Sequence, residues 1–193
     1  MRLVGLASVL LVLAFSVPVA AAPWTIDLAR SRLGFTATQM RAPFDGEFKK
    51  YAATIDFDPH NLAASRVAVE IAIESVDTKN DERDGYIVSH EWMAARAYPT
   101  ARFETAGFAH LGGERYEAKA RLTMRGVTRD VVLPFTLKIG DDPNDSTRLA
   151  ARVEGVLTVK RTDYGIGQGQ WVATDMIGGD VRIKVSLTAT RPK

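Results

Sequence analysis

Residues 115–139 read RYEAKARLTMRGVTRDVVLPFTLKI, and the period of this stretch decides the fold. Tyr116, Ala118, Ala120, Leu122 and Met124 alternate with Glu117, Lys119, Arg121, Thr123 and Arg125. Successive side chains of an extended chain point to opposite faces, so this run is a strand with one apolar and one charged face. Arg125-Gly126 supplies a turn, after which Val131, Leu133, Phe135, Leu137 and Ile139 resume the alternation. The stretch is a hairpin that buries one of its faces.

Outward from this hairpin the period of two persists. It is found in Leu33, Phe35 and Ala37, in Tyr51, Ala53, Ile55 and Phe57, and in Val67, Val69, Ile71 and Ile73. It returns in Leu149, Ala151, Val153, Leu157 and Val159, and again in Val181, Ile183, Val185 and Leu187. Gly112-Gly113, Asp141-Asp142-Pro143-Asn144-Asp145 and Gly178-Gly179-Asp180 mark tight connections. One-sided strands joined by short turns predict an all-β antiparallel meander of at least eight strands. Closing it into a barrel removes its exposed edges, although a two-sheet sandwich would show the same alternation. The pattern stops between Val76 and Pro99. There Thr78 and Asp81 suggest a capping box, and one or two short helices are expected as an insertion over one end of the barrel.

The chain has 193 residues, 46% hydrophobic and 25% charged, with a net charge of +2. This suits one domain, and the interspersed signs leave no basic stripe for nucleic acid. Residues 1–22 differ from the rest: Arg2, an apolar run from Leu3 to Phe15, and the small residues Ala20, Ala21 and Ala22. They read as a secretory signal peptide, leaving residues 23–193 as an exported mature domain. The absence of cysteine excludes disulfides, thiol redox chemistry and acylation of a lipoprotein cysteine.

The inward set mixes phenylalanines with Ala37, Ala53, Ala118, Ala120, Ala151 and Gly155. A barrel of this size is either filled by its own side chains or holds one small ligand, and small inward residues favour a cavity. An apolar cavity would take a lipid, a quinone or an isoprenoid. The residues expected to line it are Phe35, Phe57, Phe103, Leu122, Met124, Leu133, Phe135, Leu157, Ile183 and Val185. Tyr86, Arg83, Arg161 and Gly167 are the candidates for its head-group end.

Several short pieces together resemble the YceI family of exported, lipocalin-like polyisoprenoid-binding proteins. They are Trp24-Thr25-Ile26-Asp27 with Ser31 and Phe35, Gly46-Glu47-Phe48, Arg83-Asp84, Tyr98-Pro99 with Phe103, Leu122 to Arg129, and Arg161-Thr162-Asp163-Tyr164-Gly165. The resemblance implies an eight-stranded antiparallel lipocalin-like barrel with a short helical insertion. Its hollow interior would hold a polyisoprenoid or similar lipid in the periplasm, without a catalytic residue or a cofactor. The chain departs from the family pattern at Arg30, at Gly85-Tyr86-Ile87 and at Glu91-Trp92-Met93, which bears on the ligand entrance.

Competing motif readings are weaker. Gly165-Ile166-Gly167-Gln168-Gly169 has neither Rossmann nor P-loop spacing; it is a glycine bend, or a backbone nest for an anionic head group. Arg161 and Asp163 are expected to pair across it. His60, His90 and His110 are too scattered to favour zinc, and Asp141 to Asp145 lacks the spacing of a calcium loop. No nucleophile or zinc-protease motif is present, so a binding protein is expected rather than an enzyme. The alternatives are a filled-barrel stress or membrane-partner protein, and a lipid-modifying enzyme using Tyr86, Asp84 or Asp163. Transient membrane contact and a homodimer are compatible with the reading.

Overall fold

The computed structural model describes residues 22–193, so the expected leader lies, all but its last residue, outside the described residues. Eleven strands form one antiparallel sheet: β1 (Thr25–Ile26), β2 (Arg32–Gln39), β3 (Ala42–Phe48), β4 (Tyr51–Asp56), β5 (Arg66–Ala72), β6 (Val76–Asp77), β7 (Thr100–Gly112), β8 (Arg115–Met124), β9 (Val127–Asp142), β10 (Asp145–Lys160) and β11 (Asp180–Pro192). Among the described residues one α-helix, α1 (Asp81–Val88), leads into the segment before β7. The fold is all-β and antiparallel, as expected, but the expected count of eight strands is corrected to eleven. Lys49-Lys50 interrupts the run from β3 to β4, a 3-10 turn at Ile73–Ser75 separates β5 from β6, and Thr25–Ile26 adds a short strand against β11.

The sheet order is β4-β5-β7-β8-β9-β10-β11-β2-β3-β6, with β1 beside β11. Its two ends meet. β4 continues β3 and β6 continues β5, and the Lys49 N–H donates to the Ser75 carbonyl across the two kinks at 3.0 Å. Trp24 bridges to Ile55 in β4 and its indole donates to the Phe57 carbonyl at 2.9 Å, so the segment from Trp24 to β1 fastens β11 to β4. The result is a barrel-like sheet with few free edges.

The turns follow the chemistry of their residues. Met124 pairs with Val127 across Arg125-Gly126, both at positive φ, which is the two-residue hairpin whose twist matches that of the flanking strands. A Cβ on Gly126 would stand 2.5 Å from the Tyr98 ring, so packing as well as φ calls for glycine. The β9–β10 ladder ends at Phe135–Gly155, beside Pro134, which has no N–H to donate. Beyond it a 3-10 turn, Arg161–Tyr164, is held to β9 through Arg129 Nε, which donates to the Asp163 carbonyl.

The helix starts two residues later than its sequence suggested. Asn80 is the N-cap, its side chain accepting the Arg83 N–H at 2.8 Å. Thr78 is buried instead and donates its hydroxyl to Asp84 Oδ1 at 2.7 Å. The outward faces carry cross-strand ion pairs, among them Arg102–Glu70, Arg121–Glu104 and Lys184–Asp45. A charged exterior around an apolar interior is the opposite polarity to a barrel that faces lipid. Among the described residues no helix is long and apolar enough to cross a membrane.

Candidate functional site

Inward residues of a filled barrel are shielded nearly completely. Here many are not. Tyr51 and Ile55 of β4, Val67 and Val69 of β5, Val153 of β10, and Ile183, Val185 and Leu187 of β11 keep intermediate exposure on the inward side of their strands. Their accessible surface belongs to an internal cavity of about 430 Å³, within the range of ligand-binding pockets.

All ten residues expected to line such a chamber lie on its wall. Phe35 comes from β2, Phe57 from just beyond β4 and Phe103 from β7; Leu122 and Met124 come from β8, and Leu133 and Phe135 from β9. Leu157 of β10 and Ile183 and Val185 of β11 complete the set. Small residues make the space: Ala118, Ala101 and Ala151 stand on the wall where larger side chains would fill it. One end is packed with aromatics, where Phe57 meets Phe108 edge-on at 5.0 Å and Tyr116 stacks on Phe135 at 5.6 Å.

The other end opens between three segments, from which the exposed lining residues Gln39, Asn80, Glu82 and Tyr86 come. The β2–β3 hairpin tip is tied to the segment before β11, since Gln39 bridges to Ile177 and the Met40 N–H donates to the Met176 carbonyl at 2.6 Å. Helix α1 is tied to the same hairpin by Arg83, whose guanidinium lies 4.1 Å over the Phe44 ring and donates to Gln39 Oε1. Tyr86, half exposed, borders this mouth and meets Trp171 at 5.8 Å; Trp171 in turn meets Trp92 at 5.7 Å.

Arg161 lies on the cavity wall, fully buried, and the pair expected with Asp163 is not formed. Its Nε donates to Gly178 O at 3.0 Å, its Nη1 to Ile166 O at 2.9 Å, and its Nη2 to Ala173 O at 3.0 Å and Ile177 O at 2.9 Å. The guanidinium thus gathers the carbonyls of the loop from 161 to 178 into one fold.

The glycine segment is not an open nest. The N–H groups of Gly167 and Gln168 both donate to the Glu91 carbonyl, at 2.9 and 2.8 Å, and those of Gly165 and Ile166 turn back to Thr162 and Arg161. Gly167 does not line the cavity, and its positive φ serves the turn that brings the backbone against Arg161. The Asp84 carboxylate accepts from the Thr78 hydroxyl and N–H, and so ties the start of α1 to the end of β6. Asp163 stands outside on the surface. Among the described residues no three His, Cys, Asp or Glu side chains are grouped to hold a metal ion.

Phe44, Phe48, Trp171 and Gln39 also line the chamber and were not singled out from the sequence. Phe44 and Phe48 carried a signal, since they flank Gly46 at a period of two. The glycine broke the apolar run, and its missing Cβ is what leaves room for the Phe35 ring. Trp171 had no periodic neighbour to place it.

The sequence profile of the YceI-like domain matches residues 24–189. A UPF0312 protein of Vibrio cholerae is 32% identical over 169 residues, covering 84% of this chain and 86% of its own length. Protein YceI of Escherichia coli is 36% identical over 125 residues, 62% of this chain and 65% of its own. Among solved structures, BcnA of Burkholderia cenocepacia superposes with a TM-score of 0.75 at 29% identity, covering 84% of this chain and 98% of that one. A polyisoprenoid-binding domain from Saccharophagus degradans shares the fold, with a TM-score of 0.65 at 20% identity over 88% of this chain and 98% of that one. The match runs from Trp24, which fastens the barrel, to Ala189 on the last strand, and on that extent the chain belongs to the YceI-like domain family.

Proposed function

We propose that this protein is an exported, periplasmic binding protein that holds a long-chain polyisoprenoid, quinone or similar amphiphilic lipid in its barrel, for transport, storage or sequestration. The observation that carries this reading is the cavity of about 430 Å³, with a wall of aliphatic and aromatic side chains and one open mouth. Each methylene-sized group moved from water into such a space contributes about 0.8 kcal/mol, so one isoprene unit contributes roughly 4 kcal/mol before ordering costs. A few units suffice for useful affinity, and a chain with no polar atoms along its length leaves none unpaired inside.

The family supports the reading, as does the fold shared with a domain described as polyisoprenoid-binding. The process is equilibrium binding, and no step of bond making is assigned to any residue. The leader at residues 1–22 would deliver the chain across the inner membrane. A filled-barrel stress protein is disfavoured by the hollow interior.

The test is mass spectrometry of the mature protein purified from its natural compartment, first native, then denatured and solvent-extracted. A stoichiometric prenyl lipid or quinone, lost on denaturation, is the expected result. An empty protein that also takes up no prenyl lipid in titration would end the carrier reading.

A further inference from the structure

Single apolar side chains left in water are ordinary on a protein surface, but here the most exposed of them are gathered in one place. Among the described residues the three most exposed large apolar side chains are Met40, Val172 and Met176, at 74%, 58% and 55%. All three stand on segments that frame the cavity mouth, with half-exposed Tyr86 beside them. The Met40 N–H donates to the Met176 carbonyl at 2.6 Å, so two of the three share one corner of the rim. The outer wall of the barrel, by contrast, carries cross-strand ion pairs.

None of the three lines the cavity, yet each is the sequence neighbour of a residue that does: Met40 follows Gln39, Val172 follows Trp171, and Met176 precedes Ile177. At Trp171-Val172 and Met176-Ile177 apolar surface therefore passes from the wall over the rim to the outside. Met40 and Arg41 are the two turn residues of the hairpin in which Gln39 pairs with Ala42, and both hold positive φ, 49° and 66°. Asn-Gly satisfies such a turn with less strain. Folding alone therefore favours neither residue at this tip, least of all a methionine left in water.

Charge and shape select the partner. The hairpin tip at 39–42, helix α1 and residues 168–178 carry Arg41 and Arg83 against Asp81, Glu82, Asp84 and Asp175, so no cationic patch draws the mouth to an acidic surface. What remains is apolar contact of low shape specificity, made largely by two unbranched methionines that adapt to a fluid partner. A prenyl chain leaving a bilayer through water exposes its whole length. A mouth pressed to the bilayer avoids that exposure, whereas a second copy pressed to the mouth would close the path.

We propose that the rim of Met40, Val172 and Met176 docks the cavity mouth on the surface of a lipid bilayer, so that cargo passes between bilayer and barrel without crossing water. The choice of a bilayer rests on the lipid-binding function proposed above, to which the docking face is an addition. The three apolar side chains enter the boundary between head groups and acyl chains, and the charged outer wall stays in water. Tyr86, apolar in its ring and polar at its tip, suits the level of the head groups.

The experiment measures co-flotation of the full mature protein with vesicles of phosphatidylethanolamine and phosphatidylcholine, and with vesicles enriched in phosphatidylglycerol. The natural sequence is compared with the double variant Met40→Ser, Met176→Ser and with Leu111→Ser, an exposed residue near the β7–β8 turn at the aromatic-packed end. Circular dichroism checks each fold, and native mass spectrometry measures uptake of geranylgeraniol in solution without vesicles. The natural protein should float with the neutral vesicles and gain less than about twofold from phosphatidylglycerol. The double variant should lose vesicle affinity at least about tenfold while its uptake of geranylgeraniol is unchanged, and Leu111→Ser should match the natural protein in both. Flotation that survives in the double variant, that is absent from the natural protein, or that needs phosphatidylglycerol overturns the docking face; continued uptake of geranylgeraniol then leaves the lipid-binding function standing. Sedimentation showing that the two methionines hold a dimer instead assigns the face to a second copy and also overturns it. A protein that floats through its methionines but takes up no geranylgeraniol keeps the docking face and ends the lipid-binding function.

Discussion

Arg30 and Asp142, separated by more than half of the chain, meet in a bidentate pair with both N–O distances at 2.8 Å. Arg30 Nε also donates to Asp27 Oδ2 at 2.6 Å, so one guanidinium joins the short turn before β2 to the β9–β10 hairpin tip. The acidic tip at Asp141 to Asp145 is therefore anchored at Asp142, whose side chain is buried in this contact. The Arg30 guanidinium, with help from the Asn144 N–H, holds the Asp142 carboxyl at about 2, below the ordinary 3.8. A depressed carboxyl adds stability that is complete above its unfolded value and is lost as pH falls through its folded value. Asp142→Asn should thus be less stable than the natural protein at neutral pH, and the gap should close between about pH 4 and pH 2. Urea unfolding of both proteins across that window checks this; a gap that persists unchanged at pH 2 would remove the pair from the account.

Gly126 holds a positive φ of 73° and lies against the Tyr98 ring. Gly126→Ala meets both obstacles at once: a left-handed backbone that costs an L-residue about 1 kcal/mol, and a Cβ that must displace a ring. The expected loss is about 2 kcal/mol in denaturant unfolding, with an unchanged dependence on denaturant concentration. Gly113→Ala is the control, since it has positive φ but no atom within 4 Å of its Cβ, and it should lose about half as much.

Much of this architecture was legible in the chain because the period of two survives wherever a strand is regular. β8 obeys it along its length and β9 from Val131 to Leu137, and their turn declares itself through Arg125-Gly126. β7 was harder to read, since bulges between Thr105 and Gly107 and between His110 and Gly112 shift its phase twice. The count of strands was misread because kinks at Lys49-Lys50 and Ile73–Ser75 leave no composition signal distinct from a bend. The lining positions followed from the same alternation. The mouth did not: whether Arg161 pairs with Asp163 or gathers four carbonyls depends on where residues 166, 173, 177 and 178 return, which no local pattern encodes.

Ala151 is a buried, small residue on the cavity wall. Ala151→Phe would occupy much of the free space without displacing a packed side chain, unlike the insertion of a large residue into a filled core. Prenyl-lipid affinity is expected to fall at least about tenfold while thermal stability stays within about 1 kcal/mol of the natural value. A matched outward change, Arg152→Gln, should alter neither. A melting temperature that collapses in Ala151→Phe would show that the interior is packed rather than hollow.

Arg161 gives the sharpest prediction about the mouth. Lysine retains the charge but cannot present the planar fork that reaches Gly178, Ile166, Ala173 and Ile177 together. In Arg161→Lys at least two carbonyls lose their donor, at about 1 kcal/mol or more each, and the cost falls on the loop they organise rather than on the strands. The loop from 161 to 178 contains three glycines at positive φ and short 3-10 turns, so it has little structure of its own to fall back on. Hydrogen exchange should therefore accelerate at Gly167, Gln168 and Trp171 while the amides of β8 and β9 keep their protection. Prenyl-lipid release should quicken in step, because the same loop forms one side of the entrance. Uniform acceleration through β8 and β9 would instead mean that Arg161 supports the barrel as a whole, and unchanged exchange in the loop would mean that its carbonyls do not depend on the guanidinium.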